Sequence, residues 1–438
     1  MSRTAPFAAP VSLLALGGEA QSGAPGRSSR AEAVGLLAVG AALGISQVVH
    51  GAYDESVWAP IALGALALML GLMLGAPRRV PLAVLVPLLG LWSWSLVSSA
   101  WSESTDSAHL ASNRWLLYAA AFGLLAWSIA GNRRRALTLL AGTAAGILGV
   151  ALWMLVRMLS GHGPELFLTT RLNDPLGYVN GEAGYLLAGI WPCLALAERP
   201  DWRSPAAAGS GLAAVVILAG LGVLTQSRSF GLGLCVALAL LLGLIPGRLT
   251  RAGACLLIAG ALALSYSSLA AVWRHPAASG APTTASTRHA ALVLLAAALL
   301  AGALWSSIAV AARRWGPAGS VRRNQAIRLA NGGLAALALA AVLGVAINAG
   351  AIERRIHTQY DAFVHLAPSP TSSRLFSGGG NRFDYWRVAW IEFRSAPLGG
   401  VGAGNYPPDY YVHRRTTEAI QQPHSLELQT LAELGLVG

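Results

Sequence analysis

The chain has 438 residues, of which 55% are apolar and 11% charged. A water-soluble surface normally takes about a quarter of charged residues, so a soluble globular domain is excluded. The net charge of +12 rests on arginine alone, without a single lysine. These arginines stand in short clusters between apolar runs, which points to membrane topology and away from nucleic acid as a partner.

In chain order, residues 1–30 mix Ser, Gly and Pro with Arg3, Arg27 and Arg30 and read as a disordered cytoplasmic tail without a signal-peptide pattern. Apolar runs then predict spans at 31–49, 57–75, 80–100, 115–130, 136–159, 183–198, 205–224, 229–245, 252–271, 289–312 and 330–350. The expected fold is all-α, a polytopic bundle of about eleven or twelve spans over residues 31–350. Runs 115–130 and 183–198 are short for a bilayer about 30 Å thick. With the N-terminus inside, 17 arginines fall on inner segments and six on outer ones up to residue 350. Residues 351–423 then form a large extracytoplasmic loop with short helices, and that loop holds eight arginines that topology does not require. The cysteines Cys193, Cys235 and Cys255 lie inside apolar runs and suggest neither disulfides nor a zinc site.

Within the loop, Trp386, Ala389, Trp390 and Phe393 recur at helical spacing, and Pro397 with the glycines up to Gly404 ends the helix. Arg382 stands at its start and Arg387 and Arg394 lie two turns apart, a set suited to phosphate oxygens beside free helix N–H groups. The sequence GGVGAGN lacks the lysine of a nucleotide loop and reads as a flexible turn. Asp54-Glu55 has no second acidic pair outside and reads as solvated loop charge, which leaves no metal site.

At the C-terminal end stand His424 and Ser425, nine residues, then Gly435 and Gly438. This pattern resembles the signature of bacterial O-antigen ligases and their relatives, the polysaccharide polymerases and protein O-oligosaccharyltransferases. Further upstream, Arg382 and Trp386 with Pro397-Leu398-Gly399 and Gly402, Gln226-Ser227-Arg228 with Leu232, Pro175-Leu176-Gly177-Tyr178 with Asn180, and Trp101-Ser102 resemble other family segments. The resemblance covers residues 90–438; of its motifs, the His424 pattern alone is specific. Because family members continue past the second glycine, residues 424–438 are expected to begin a further span of a partial chain.

The resemblance implies a multi-pass protein of the bacterial inner membrane with its site facing the periplasm. It would transfer or polymerise an oligosaccharide from a lipid diphosphate, without cofactor, onto a glycan, a lipid A core or a protein hydroxyl. On residue chemistry, Arg171, Arg228, Arg382 and Arg387 are the expected diphosphate ligands, and His424 the expected catalytic base of a metal-independent reaction. A flippase of lipid-linked glycans is the competing class. It fits less well because no repeat relates the two halves and ionisable residues within the spans are nearly absent.

Overall fold

The computed structural model describes residues 27–75, 82–198, 204–314, 346–366 and 380–438, with a few isolated positions between 328 and 343. Among the described residues up to 314 lie ten α-helices: α1 (Arg27–Ile45), α2 (Glu55–Gly75), α3 (Leu82–Val97), α4 (Thr105–Ile129), α5 (Arg133–Leu159), α6 (Val179–Ala197), α7 (Pro205–Leu224), α8 (Arg228–Leu244), α9 (Arg248–Arg274) and α10 (Thr284–Arg314). Each overlaps one of the first ten expected spans, and α1, α2, α3, α5, α7, α9 and α10 are long and apolar enough to cross a bilayer. The protein is an all-α polytopic membrane bundle. The two short runs prove to be parts of longer helices. α4 extends on its N-terminal side through Asp106 and Arg114, and α6 begins with Glu182 in its first turn. Most of the eleventh span, 330–350, and nearly all of the N-terminal tail lie outside the described residues; Arg27 to Arg30 already form the first turn of α1.

Local sequence sets the helix starts. Asn132 accepts hydrogen bonds from Arg134 N at 2.9 Å and Arg135 N at 3.3 Å, while Ser104 caps α4 through Ser107 N at 3.2 Å. Since lipid is as apolar as the side chains, close backbone approach and dispersion hold such helices together. α1 and α5 show it: a Cβ at Gly44 would lie 2.5 Å from Thr143 O, and one at Gly146 2.5 Å from Ala41 O. At the centre, α7 is buried along most of its length among α6, α9 and α10. Two polar links tie the arginine-rich ends: Arg251 binds the Glu198 carboxylate at 2.8 Å, and Trp305 Nε1 donates to Ala197 O at 3.0 Å.

Among the described residues four shorter helices follow: α11 (Ala349–Val364), α12 (Arg382–Ser395), α13 (Tyr406–His413) and α14 (Leu426–Leu434). Tyr385, Val388 and Ala389 of α12 form a separate small core with Tyr406, Tyr410 and Ala432. Helix α14 is nine residues, about 14 Å at 1.5 Å per residue, and closes at Gly435 with φ 68°. Within the segment expected to begin a further span, residues 426–434 form this short helix.

The GGVGAGN stretch is no flexible turn. Val401 N and Gly402 N donate to Ala432 O and Glu433 O at 3.0 and 2.9 Å, and Trp101 Nε1 reaches Gly400 O at 3.0 Å. Gly400, with φ 67°, sits so close to α14 that a Cβ would fall 2.2 Å from the Glu433 carbonyl carbon. Trp101 and Ser98 thus dock the α12–α14 unit on the bundle, Ser98 Oγ accepting from Ala403 N at 3.0 Å.

Candidate active site

The ends of α5 and α7 and the starts of α6 and α8 meet around a two-stranded hairpin, β1 (Phe167–Leu168) and β2 (Arg171–Leu172), which the sequence pattern did not announce. Its polar links are dense. Arg171 Nε donates to Thr225 O at 3.1 Å, Gln226 Nε2 to Thr170 O at 2.7 Å, and Ser227 Oγ to Asn180 Oδ1 at 2.9 Å. These bonds fix the α7–α8 corner, where Gln226 takes φ 50° and Arg228 becomes the first residue of α8.

Above this corner lies a cavity of about 970 Å³. Its lining brings together Arg171 from the hairpin, Arg228 from α8, Arg382 from α12 and His424 from the loop before α14. Arg228 and Arg382 each open a helix, and their neighbours Ser229, Gly380 and Asn381 also line the space. First-turn N–H groups therefore add to the guanidinium charge, an arrangement that favours an anion. Ile356, Tyr360 and Phe363 of α11 supply an apolar side, and Phe363 packs edge-on against Trp386 at 5.6 Å.

Arg387, expected beside the other arginines, does not line this cavity. Its Nη2 lies 2.7 Å from Asp384 Oδ1, the same nitrogen donates to His413 O, and the residue is absent from the cavity lining. Asp384 is fully buried and also accepts Arg415 N at 2.7 Å, so the pair clamps α12 to the end of α13. With three-residue spacing on one helix, an acid–arginine pair satisfies itself.

His424 adopts φ 56° immediately before Ser425, whose Oγ accepts Leu428 N at 3.3 Å and starts α14. Its ring stacks on Tyr178 at 6.2 Å with 9° between planes, and Tyr385 tilts against it at 5.8 Å. Burial, and then the nearby Arg382 guanidinium, hold the imidazole below its ordinary value, while the Glu418 carboxylate opposes them. The ring is thus kept in the neutral form able to take a proton near pH 7.

Tyr385 and Glu418 carry no signal in the sequence pattern. The Tyr385 hydroxyl donates to Glu418 Oε2, and Tyr410 Oη holds the Glu418 carbonyl at 3.2 Å, so buried tyrosines position the loop leading to His424. Tyr385 lies outside the stripe of Trp386, Ala389, Trp390 and Phe393 on α12, and Glu418 lies in an irregular segment. Among the described residues no group of three His, Cys, Asp or Glu side chains is placed to hold a metal ion.

Residues 277–438 match the family model described as O-Antigen ligase, a stretch that contains Arg382, His424 and the α12–α14 unit. No curated protein and no solved structure matches the chain. Over that part of its length the chain is similar to the O-antigen ligase family, and its long apolar helices make it an integral membrane protein.

Proposed function

We propose that this protein transfers an oligosaccharide from a lipid diphosphate to an acceptor hydroxyl at the outer face of the bacterial inner membrane, with His424 as general base. The observation that carries the reading is the single cavity lined by Arg171, Arg228, Arg382 and His424. The acceptor oxygen attacks the anomeric carbon, the bond from that carbon to the diphosphate oxygen breaks, and the electron pair leaves with the diphosphate. The three guanidinium groups stabilise the charge that develops there. The acceptor proton passes to the His424 imidazole. The apolar side made by α11 takes the first part of the lipid carrier. The outer location is supported by the arginine distribution, dense on the opposite segments from those that carry the cavity.

A reconstituted assay with a labelled lipid-linked oligosaccharide tests this reading. Glycan should appear on a new acceptor, and His424→Ala should lower turnover about a hundredfold to ten-thousandfold with donor binding retained. Turnover should survive EDTA. Leaflet exchange of the donor without bond exchange, unchanged turnover in His424→Ala, or silencing by EDTA with rescue by a divalent ion would each refute the mechanism.

A further inference from the structure

A second cavity of about 830 Å³ adjoins the first, and the two linings have two residues in common, Tyr178 and His424. The stacked pair is therefore their shared wall. The far side is built by the α1–α2 connection, with Gln47, His50, Tyr53 and Asp54, and by Gln421 and Gln422 just before His424. Asp54, read from the sequence as solvated loop charge, belongs to this lining.

We propose that this second cavity binds the acceptor as a glycan, by its hydroxyl groups; the inference rests on the assignment of the arginine cavity to the donor. Charge distinguishes the two spaces. The donor side presents three arginines, whereas the second lining contains Asp54 and no arginine. A diphosphate is drawn to the first and repelled from the second, which leaves the second for an uncharged portion of substrate. Amides and a carboxylate match sugar hydroxyls, because an amide both donates and accepts and a carboxylate accepts at several angles, and exposed Tyr53 offers an aromatic face. Arg114 fixes that ring: its guanidinium stands 5.1 Å from the ring centroid, and Nη2 donates to Tyr53 O at 3.3 Å.

The space also continues. Tyr53, Gln421 and Gln422 line a third cavity of about 350 Å³, where Trp115, Tyr118 and Gln429 repeat the combination of aromatic and amide. A path of this kind accommodates several linked rings and leads to one face of the His424 wall, where the terminal hydroxyl must lose its proton. The backbone is held for that purpose. His50, Gly51 and Ala52 adopt consecutive positive φ values of 45°, 63° and 52°, and His50 Nδ1 would lie 3.1 Å from a Cβ at Gly177. Such left-handed runs persist where surrounding structure fixes them, as at binding loops.

Saturation-transfer NMR on the full-length protein in nanodiscs tests the inference, with lactose, maltose and a Ser/Thr-containing hexapeptide as probes and inorganic diphosphate as competitor. A disaccharide should bind, persist under saturating diphosphate, and weaken about tenfold in Gln47→Ala/Gln422→Ala, the effect of losing two neutral hydrogen bonds. The double variant should still bind diphosphate by phosphorus NMR, which shows that it is folded; if it does not, the single variants are read the same way. Peptide binding without saccharide binding, no saccharide signal, displacement by diphosphate, or undiminished saccharide binding in the variants would overturn the acceptor site. Failure of the wild-type protein to bind diphosphate strikes instead at the donor assignment.

Discussion

Arg387 Nη2 and Asp384 Oδ1 lie 2.7 Å apart on one turn of α12, with the carboxylate fully buried. This pairing separates Arg387 from Arg382, five positions earlier on the same helix, which faces the cavity. Arg387→Ala strands a buried carboxylate, a change that costs about 3–5 kcal/mol for a broken buried pair, discounted here because the arginine is partly exposed. The expected result is a lower unfolding temperature with donor affinity retained in the folded fraction. Arg382→Lys and Arg228→Lys should show the reverse, a normal melt and lost donor turnover, because an ammonium ion cannot bind two phosphate oxygens as a guanidinium does. Thermal unfolding beside donor binding checks both halves.

The acid limb of the activity profile should follow His424. Its imidazole is held below the ordinary value, so the neutral base persists to lower pH than for a free histidine, and activity falls only as pH drops through that lowered value. Arg382→Gln removes a positive neighbour and should move the limb to higher pH. Glu418→Gln removes the opposing negative charge and should move it lower. Profiles of kcat/KM for the residual activity measure the two shifts, and limbs that stay in place would separate His424 from the titration.

Glu392 of α12 is buried with both carboxylate oxygens unpartnered, and burial, then Asp409 and Glu433, push its pKa up to about 9. The folded state therefore holds a proton that the unfolded chain releases above its usual value near 4.5. The protonated form favours folding fully below that value, and this contribution is lost as pH rises towards 9. Glu392→Gln should leave stability unchanged at pH 4 and raise the unfolding temperature at pH 8 to 9. Equal melts of variant and wild type at both pH values would contradict this.

At Gly400 the left-handed backbone and the α14 carbonyl 2.2 Å from any Cβ both exclude a side chain. Gly400→Ala should cost at least ~1–3 kcal/mol in backbone strain, with the clash adding to it. Because Gly400 docks α12 and α14 together, activity and stability should fall in parallel. Gly149→Ala, where a Cβ meets nothing within 4 Å, serves as control.

By itself the sequence determined that this chain crosses a membrane many times, since runs of apolar residues with arginines between them have no stable alternative in water. It also marked His424, Arg228 and Arg382, because a fixed spacing survives in one dimension. What the linear order could not hold is which charged groups satisfy each other. Arg387 and Arg382 look alike in sequence, and only the fold turns one to Asp384 and the other to the cavity. The same holds for Tyr385, Glu418 and Asp54, whose roles depend on contacts with segments distant along the chain. The glycine stretch from Gly399 to Gly404 reads as a loop until α14 packs on it. Apolar periodicity is a one-body property, written residue by residue; a site is a many-body one, set when tertiary packing fixes which polar groups remain to meet a substrate.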